Sequence, residues 1–424
     1  MSLRQRFEAI KNNSDYRRLT VNIASLFTIQ VSNYLIPLIT FPYLVRTLGI
    51  EGFGLVAFAQ NIFSYFEQLM TYSFALTAPR DISQSSNDRP RMSRIFHTVL
   101  FTKLLLLAAS LVAVSILTLA VPRLWEFKNL MGAGSLILLA NAVQIDWFFQ
   151  GIQAMKNITV INLTARFLSV FLLFAFVHSP NDNLFALIAL PVSNILAGGI
   201  AFGLVYRRFR LPFQTPQYLA VLRQLRDGWQ VFLSQFLVRF YSSDINITIL
   251  GFLTDNLTLG IYSFANRIYA LVVAASAPIS AATYPYLARL FEENYAKYQA
   301  QFRWILKTLL LVFALGGVLL FVSADFLTTL IAGAATPRSA LILRILAVAI
   351  VFTPFAPFYT QAFFLHRKEK WLLFVVAVCI VVNAISLVAA YYFFQEIGLA
   401  VNCVIVQMTL CFLPLLIFRR LKIM

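Results

Sequence analysis

The sequence is poor in charged residues, and acids are the scarcest of them. Asp, Glu, Lys and Arg make up 12% of 424 residues, with 17 acids against 34 bases, whereas 60% of the residues are hydrophobic. A soluble globule of this length needs far more polar surface, so this composition indicates a protein that resides in lipid. The net charge of +17 does not indicate nucleic-acid binding, because no soluble domain is left to carry a basic face.

Cysteine and histidine are also rare, which argues against a zinc site. Cys379, Cys403 and Cys411 lie within apolar runs, without the close spacing or the histidine partners of a zinc site. No acid, base and nucleophile form a catalytic pattern, so we expect neither an enzyme nor a bound metal or cofactor. A Gly-Lys-Ser or Gly-Lys-Thr phosphate loop is missing as well. Energy for any transport must therefore come from an ion gradient, of H⁺ or Na⁺, or from the substrate gradient.

Apolar runs long enough to cross a membrane fill most of the chain. A helix needs about 20 mainly apolar residues to cross the hydrocarbon. Cutting the chain at its polar clusters therefore predicts an all-α polytopic membrane protein with twelve transmembrane helices. The predicted spans are 20–46, 52–78, 95–121, 131–151, 158–177, 184–206, 228–250, 259–287, 304–322, 339–365, 372–394 and 398–418. They define a cytosolic segment 1–19, a six-helix bundle 20–206, a basic linker 207–227, a second six-helix bundle 228–418 and a tail 419–424.

The positions of Lys and Arg predict the orientation of these spans. If the joints alternate between the two sides, one side holds 24 of the 34 bases and the other holds only Arg46, Arg123, Lys128 and Arg338. Basic residues near span ends stay on the cytoplasmic side, so both termini are predicted to be cytoplasmic. The outer joints are short, and the longest covers only 323–338, so none can hold a catalytic domain.

One sequence block occurs in both halves of the chain. FGLVAFAQNI at 53–62 aligns with LGIYSFANRI at 259–268, and a Leu-Gly pair precedes each block, at 48–49 and 250–251. The alignment matches spans 1 and 2 with spans 7 and 8, as in the parallel repeats of alternating-access transporters, although two apolar helices can also match by chance. Prolines predict bends in spans 1, 8 and 10, either beside a hydrated cavity or as packing bends. They are Pro37, Pro42, Pro278, Pro285, Pro354 and Pro357.

Six bases and three acids fall inside the predicted spans, where a charge is costly and usually faces a cavity or a partner. Lys103, Lys307 and Arg344 lie close enough to span ends to extend their charges to water. Asp244 and Arg267 have similar depths, as do Asp146 and Arg166. Two ion pairs would make these four residues structural.

Arg239 and Glu67 lie near the middle of spans 7 and 2 and are the first candidates for a functional site. An arginine is always charged and has several donors suited to phosphate, so Arg239 is predicted to bind an anionic headgroup. Neutral polar side chains that could bind a sugar are frequent on spans 1, 2, 7 and 8. The predicted substrate-binding residues are Arg239, Arg267, Asn33, Tyr34, Gln60, Asn61, Asn246 and Asn266, and the predicted ion-coupling residues are Glu67, Asp244 and Asp146.

Three segments carry a resemblance to a known family: NYLIPLITFPYLVRTLGIEGFGLVAFAQNI at 33–62, YSFALTAPRDIS at 72–83 and DWFFQGIQAMKNIT at 146–159. Together with the repeat block at 249–268, they make the whole chain resemble the Wzx-type O-antigen and polysaccharide flippases. These belong to the multidrug/oligosaccharidyl-lipid/polysaccharide (MOP) exporter superfamily. The resemblance implies two six-helix bundles that form a V around a central cavity, in the inner membrane of a bacterium. The family often has Glu at the position of Asp146, and the matched segments do not identify substrate-binding residues.

The resemblance also implies a function. An undecaprenyl-pyrophosphate-linked oligosaccharide would move from the cytoplasmic to the periplasmic leaflet by alternating access. Expected partners are this lipid-linked substrate, membrane lipid, a polysaccharide polymerase and a chain-length regulator, but not nucleic acid. A cation-coupled multidrug antiporter on the same scaffold is the alternative, although its cationic substrates would require an excess of acids in the spans. A membrane glycosyltransferase would require a large outer loop.

Overall fold

Long apolar runs are expected to be helical, because hydrocarbon offers the backbone no hydrogen-bond partners and a helix satisfies them internally. The computed structural model describes residues 14–85 and 88–421, and the regular elements in these ranges are all helices. Most of the predicted segment 1–19 and residues 422–424 of the predicted tail lie outside the described residues. Two compact units are present, residues 1–48 with 59–236 and residues 49–58 with 237–424. The predicted bundle limits 20–206 and 228–418 stay a prediction.

The first unit contains most of the first nine helices, and residues 49–58 of α1 belong to the second unit. A π-helical turn, Val205–Phe209, extends α8. The helices are α1 (Ser14–Thr71), α2 (Phe74–Ser83), α3 (Arg89–Ala120), α4 (Pro122–Glu126), α5 (Lys128–Val143), α6 (Asp146–Gly151), α7 (Met155–Phe176), α8 (Asn183–Leu204) and α9 (Tyr218–Val238).

The second unit contains the remaining helices. They are α10 (Asp244–Leu253), α11 (Asn256–Ala274), α12 (Ser276–Glu293), α13 (Tyr295–Ala332), α14 (Pro337–Ile350), α15 (Phe355–Leu365) and α16 (Glu369–Arg420).

Nine helical stretches within the described residues are long and apolar enough to cross a membrane, so the chain is a multi-pass membrane protein. Two of them are far longer than one crossing needs: Thr28–Ser83 has 56 residues and Glu369–Arg420 has 52. A straight helix of this length would extend about 80 Å, well over twice the thickness of the hydrocarbon.

Both long stretches are interrupted where the sequence predicts a joint. Gly49 has φ 73° and ψ 171°, a conformation that glycine adopts without steric cost, and it lies between predicted spans 1 and 2. Gln395 has φ 49° and lies between predicted spans 11 and 12. Directly after it, a Cβ on Gly398 would lie 1.9 Å from the carbonyl oxygen of Ala390. The chain therefore turns back on itself so tightly that only glycine fits there.

Proline positions correspond to two further interruptions. α11 ends at Ala274 and α12 begins two residues before Pro278, and α15 begins directly after Pro354. The bends predicted in spans 8 and 10 are therefore confirmed, because a proline ends the hydrogen-bond pattern of the preceding helix. In span 1, Pro37 and Pro42 stay inside α1.

Two glycines at matching positions of the sequence repeat contact each other. A Cβ on Gly54 would lie 2.4 Å from Cα of Gly260, and a Cβ on Gly260 would lie 2.2 Å from the carbonyl oxygen of Ile50. The backbones of α1 and α11 therefore touch where they cross, an approach that small residues allow between membrane helices. The two copies of the repeat block therefore meet at this crossing, and the internal repeat itself stays a prediction.

Candidate functional site

Arg239 lies in a break between two helices and not in a continuous span. α9 ends at Val238 and α10 begins at Asp244, and residues 239–243 between them form turns. Nη1 of Arg239 lies 3.3 Å from Oδ2 of Asp244, and the two side chains remain 30% and 40% exposed. In a continuous helix, residues five positions apart point in different directions, so the break brings this pair together. From the sequence, Arg267 was considered as the partner of Asp244, and the ion pair between Arg239 and Asp244 was not predicted.

Arg267, on α11, supplies a second guanidinium to the same region. Its side chain is exposed, and it lies within electrostatic range of Asp244. Two permanent positive charges therefore interact with one carboxylate in this part of the second unit. Such a group retains a net positive charge after its internal pairing.

A buried amide network holds the backbone next to Arg239. Nδ2 of Asn383 donates to the carbonyl oxygen of Phe240 at 2.7 Å, and Nδ2 of Asn402 donates to Oδ1 of Asn383 at 2.8 Å. The hydroxyl of Ser386 donates to Oδ1 of Asn402. The network ties the two arms of α16 to the turn that carries Arg239, so it positions the turn without adding charge.

Asn246 on α10, predicted to bind substrate, also belongs to this network, because Nδ2 of Asn402 donates to its Oδ1 at 3.5 Å. Its side chain is 1% exposed. Nδ2 of Asn246 donates to the hydroxyl of Tyr262 at 2.8 Å and to the carbonyl oxygen of Leu399 at 3.1 Å. Both amide hydrogens are thus used within the protein, and in this structure Asn246 joins α10 to α11 and α16.

Sequence reasoning missed Asn383 and Asn402. Both lie in apolar arms of α16 and are buried, at 4% and 1% exposure. A neutral amide in an apolar run is costly unless it is hydrogen-bonded, so its presence is a signal in its own right. The predicted site took its neutral polar residues from spans 1, 2, 7 and 8, whereas these two amides lie on spans 11 and 12.

Asn266, beside Arg267 on α11, differs from Asn246 in having an unused acceptor. It is 3% exposed, and its Oδ1 has no hydrogen-bond partner among the described residues. The hydroxyl of Ser263, one turn earlier, is in the same condition. Buried polar atoms are usually paired, so these two atoms are available to a ligand hydroxyl or to water.

The other predicted substrate-binding residues, with Glu67, lie on α1 in the first unit. Asn33, Tyr34 and Glu67 are half-buried, Gln60 is exposed and Asn61 is 7% exposed. The oxygen of the Asn33 amide is buried without a hydrogen-bond partner among the described residues. The predicted site residues therefore form one group in each unit, and their roles stay predictions.

Lys103 contradicts the prediction that its charge reaches water. The residue is 5% exposed, and its Nζ donates to the carbonyl oxygens of Asn141 at 2.5 Å and Gln144 at 3.0 Å. These carbonyls lie where α5 ends at Val143 and α6 begins at Asp146, so the ammonium satisfies acceptors that a helix end leaves unpaired. The prediction was wrong because it considered depth alone, whereas the helix break offers partners inside the protein.

Asp146 begins α6, beside this lysine. Its Oδ2 accepts hydrogen bonds from Asn162 at 3.2 Å and from Gln144 at 3.5 Å, and the charge of Lys103 acts on it. An ion pair with Arg166 is not present in residues 14–85 and 88–421, so the proposed pairing of Asp146 with Arg166 is wrong. Asp146 belongs to a local group of amides and one lysine.

Comparison with known proteins identifies the family. The family model described as "Polysaccharide biosynthesis protein" matches residues 19–291, well over half of the chain. The chain belongs to this family. A protein of Escherichia coli (strain K12) described as "Putative O-antigen transporter" is 28% identical over 413 residues, which cover 97% of this chain and 99% of that protein. A Shigella dysenteriae protein with the same description is 26% identical over 275 residues, covering 65% and 69%.

Solved structures show how this polysaccharide biosynthesis protein folds. An inward-facing multidrug resistance MATE family transporter of the MOP superfamily has a TM-score of 0.74 at 17% identity, with 94% of this chain and 98% of that chain covered. The lipid II flippase MurJ, in an inward closed conformation, has a TM-score of 0.67 at 13% identity, with 94% and 87% covered. The fold is therefore shared with both.

Proposed function

We propose that the chain is a flippase that moves an undecaprenyl-pyrophosphate-linked oligosaccharide from the cytoplasmic to the periplasmic leaflet of a bacterial inner membrane. The observation that carries the proposal is the likeness, over 97% of the chain, to a protein described as an O-antigen transporter. The shared fold with a protein described as a lipid II flippase supports the same class of substrate. The product would pass to a polysaccharide polymerase and its chain-length regulator.

The helices support a proposed architecture of twelve crossings. Two of the nine apolar stretches are interrupted, at Gly49 and Gln395, and each is long enough to cross twice. The broken helix pair α9 and α10 supplies one more crossing. An even number places both termini on one side, and the distribution of Lys and Arg favours the cytoplasm.

The charges on α9 to α11 fit the headgroup of such a substrate. A diphosphate and a sugar cannot pass through bare hydrocarbon, because the desolvation of their charges and hydroxyls is too costly. Arg239 and Arg267 exceed Asp244 by one charge, and guanidinium groups donate well to phosphate oxygens. The unused oxygen of Asn266 could accept a hydrogen bond from a sugar hydroxyl. The polyprenyl chain would stay in the lipid while access to the headgroup alternates between the two sides.

Ion coupling is assigned to the predicted acids. Glu67 is half-buried on α1, where protonation or a bound Na⁺ could change its charge. Asp146 accepts a hydrogen bond from Asn162, and Asp244 pairs with Arg239, and all three acids stay candidates for ion coupling. The choice between H⁺ and Na⁺ is open.

A cation-coupled multidrug antiporter is the alternative function. The MATE-family transporter shares the fold, which permits this activity. The arginines near Asp244 oppose it, because a cationic drug would be repelled by the excess positive charge.

The test is the replacement of Arg239 in a strain that lacks its own flippase. Arg239→Ala should reduce surface polysaccharide at least about tenfold at equal expression, since a charge-assisted hydrogen bond to phosphate contributes about 1.5–3 kcal/mol. Arg239→Glu should reduce it further, because the introduced carboxylate repels the diphosphate. Arg123→Ala is the control, because Arg123 also pairs with an acid, Glu126, at 2.9 Å but lies on the short surface helix α4. Normal surface polysaccharide in both Arg239 variants would remove Arg239 from the mechanism.

A further inference from the structure

A cavity of about 390 Å³ in the first unit plays no part in the proposed function. It lies at the ends of α2, α3 and α6 and beside the π-helical turn after α8. Small-ligand sites typically have volumes of about 300–1,000 Å³, so the cavity can hold a compact ligand. The side chains on which its chemistry depends are Arg89, Arg208, Ser83, Gln153, Met92 and Phe209.

Two segments that carry the family resemblance, 72–83 and 146–159, meet at this cavity. A Cβ on Gly151 would lie 2.6 Å from Cβ of Ile82 and 2.9 Å from the carbonyl oxygen of Pro79, so α2 and α6 pack with almost no space between them. Ser83 follows Ile82, and Gln153 lies two residues after Gly151 in the turn before α7. The close packing therefore fixes two polar side chains on the cavity wall.

The cavity carries two positive charges without a carboxylate in its lining. Neither Arg89 nor Arg208 takes part in an ion pair within residues 14–85 and 88–421. Asp81, near Ser83, pairs with Arg80 at 3.0 Å. Both guanidinium groups therefore remain available to an anion.

The acid next to Arg89 in the sequence is also engaged. Asp88 caps α3 by accepting a hydrogen bond from the backbone N–H of Arg91 at 2.9 Å. Its carboxylate is thus used at the helix end, and it does not line the cavity.

We infer that this cavity binds a phosphate or diphosphate ester. The guanidinium groups of Arg89 and Arg208 would donate to phosphate oxygens, which suit their planar arrangement of donors. The hydroxyl of Ser83 and the amide of Gln153 add neutral donors, and Met92 and Phe209 provide an apolar wall for the esterified group.

Three kinds of ligand carry such a phosphate group. Both arginines lie in joints that the distribution of Lys and Arg places in the cytosol, 79–94 and 207–227. The ligand is then the diphosphate of a lipid-linked sugar, the headgroup of an anionic phospholipid, or a soluble nucleoside diphosphate. The first source rests on the proposed function, whereas the binding site itself rests only on the cavity.

The site is tested by titrating the full-length protein, in phosphatidylcholine nanodiscs, with inorganic pyrophosphate. Arg89→Gln and Arg208→Gln should each weaken pyrophosphate binding about tenfold, as expected for a lost charge-assisted hydrogen bond. Arg91→Gln and Arg207→Gln are matched controls, because they remove the same charge from exposed neighbours that do not line the cavity. Equal losses in the lining and control variants, or no saturable binding by the unchanged protein, would overturn the inference.

Competition with pyrophosphate then separates the three sources. Weaker binding in phosphatidylglycerol nanodiscs identifies the phospholipid headgroup, displacement by uridine diphosphate identifies a soluble nucleotide, and displacement by a polyprenyl diphosphate identifies the transport substrate. If none of the three competes, the cavity does not bind phosphate esters and the inference fails. Binding is measured without transport, so its outcome is independent of the outcome of the Arg239 variants.

Discussion

Each unit contains a helix that is broken inside a predicted span, and the two breaks are stabilised differently. In the first unit, the gap between α5 and α6 leaves carbonyls that accept hydrogen bonds from Lys103 of α3. In the second unit, the gap between α9 and α10 is held by the neutral amide of Asn383 from α16. There the charged residues Arg239 and Asp244 pair with each other and stay partly exposed.

The exposure of the charges shows what each break can do. Lys103 is 5% exposed, so its charge is used entirely within the protein. The Arg239 side chain is 30% exposed, so the protein does not enclose it as it encloses Lys103. A base inside a membrane helix is therefore not by itself a sign of a binding site, because a broken backbone can use the same charge as a structural donor.

The largest effect on stability is expected for Lys103. Lys103→Met keeps most of the side-chain volume but leaves the carbonyls of Asn141 and Gln144 without their donor. A hydrogen bond to a charged group contributes about 1.5–3 kcal/mol and Lys103 donates two, so the variant should unfold at a clearly lower temperature or accumulate poorly. Thermal unfolding of the purified protein in detergent measures this loss.

Lys307→Met is the control for that experiment, because Lys307 also lies in a predicted span but is exposed. It should unfold at nearly the same temperature as the unchanged protein. An unfolding temperature of Lys103→Met equal to that of Lys307→Met would show that the first break does not depend on its lysine. The conclusion that a charged side chain stabilises the first break and a neutral amide the second would then be wrong.

A smaller loss of stability is expected when the neutral amide of the second break is removed. Asn383→Ala leaves the carbonyl of Phe240 without its side-chain donor and removes the nearer acceptor, at 2.8 Å, of the Asn402 amide. Buried unpaired groups cost about 1–3 kcal/mol, so thermal unfolding should shift less than for Lys103→Met. Because Phe240 is adjacent to Arg239, transport by the folded fraction should also fall.

The control for Asn383 is Asn181→Ala, at an exposed position in the turn before α8. Transport and unfolding temperature should be unchanged in this variant. An Asn383→Ala protein that folds and transports normally would show that the amide network does not position Arg239.

The interruptions at Gly49, Gln395, Pro278 and Pro354 could be anticipated from the sequence, and the breaks that carry the candidate site could not. The first group is marked by short polar joints, glycine or proline, which act on the backbone locally. Residues 144–145 and 239–243 contain neither glycine nor proline. Their conformations depend on Lys103 and Asn383, which come from distant parts of the chain, so local patterns do not reveal them.

For the same reason, the sequence predicted which residues belong to the candidate site but not which of them contact each other. The depth of Arg239 and Asp244 in span 7 could be read from the sequence, but their contact requires the break between α9 and α10. Residue depth in a straight helix also placed Lys103 near water, and its burial follows from the gap between α5 and α6.

The smallest effects on stability, and the sharpest comparison, come from one substitution made in both breaks. Asp146→Asn and Asp244→Asn each remove one negative charge and keep a side chain of the same shape. Both carboxylates are partly exposed, and an ion pair in such a setting contributes at most about 1 kcal/mol, so neither variant should unfold at a much lower temperature.

The effect of the two variants on transport should differ, because Asp244→Asn releases Arg239 from its ion pair and makes the guanidinium more available to a diphosphate. In reconstituted vesicles, the half-saturating concentration of lipid-linked substrate should therefore fall by up to about fivefold for Asp244→Asn and stay unchanged for Asp146→Asn. Since the substitution is the same, a difference between the two variants must arise from their surroundings. An equal change in both would mean that the charges of the first break also contact the substrate, and that low exposure alone does not make Lys103 a structural residue.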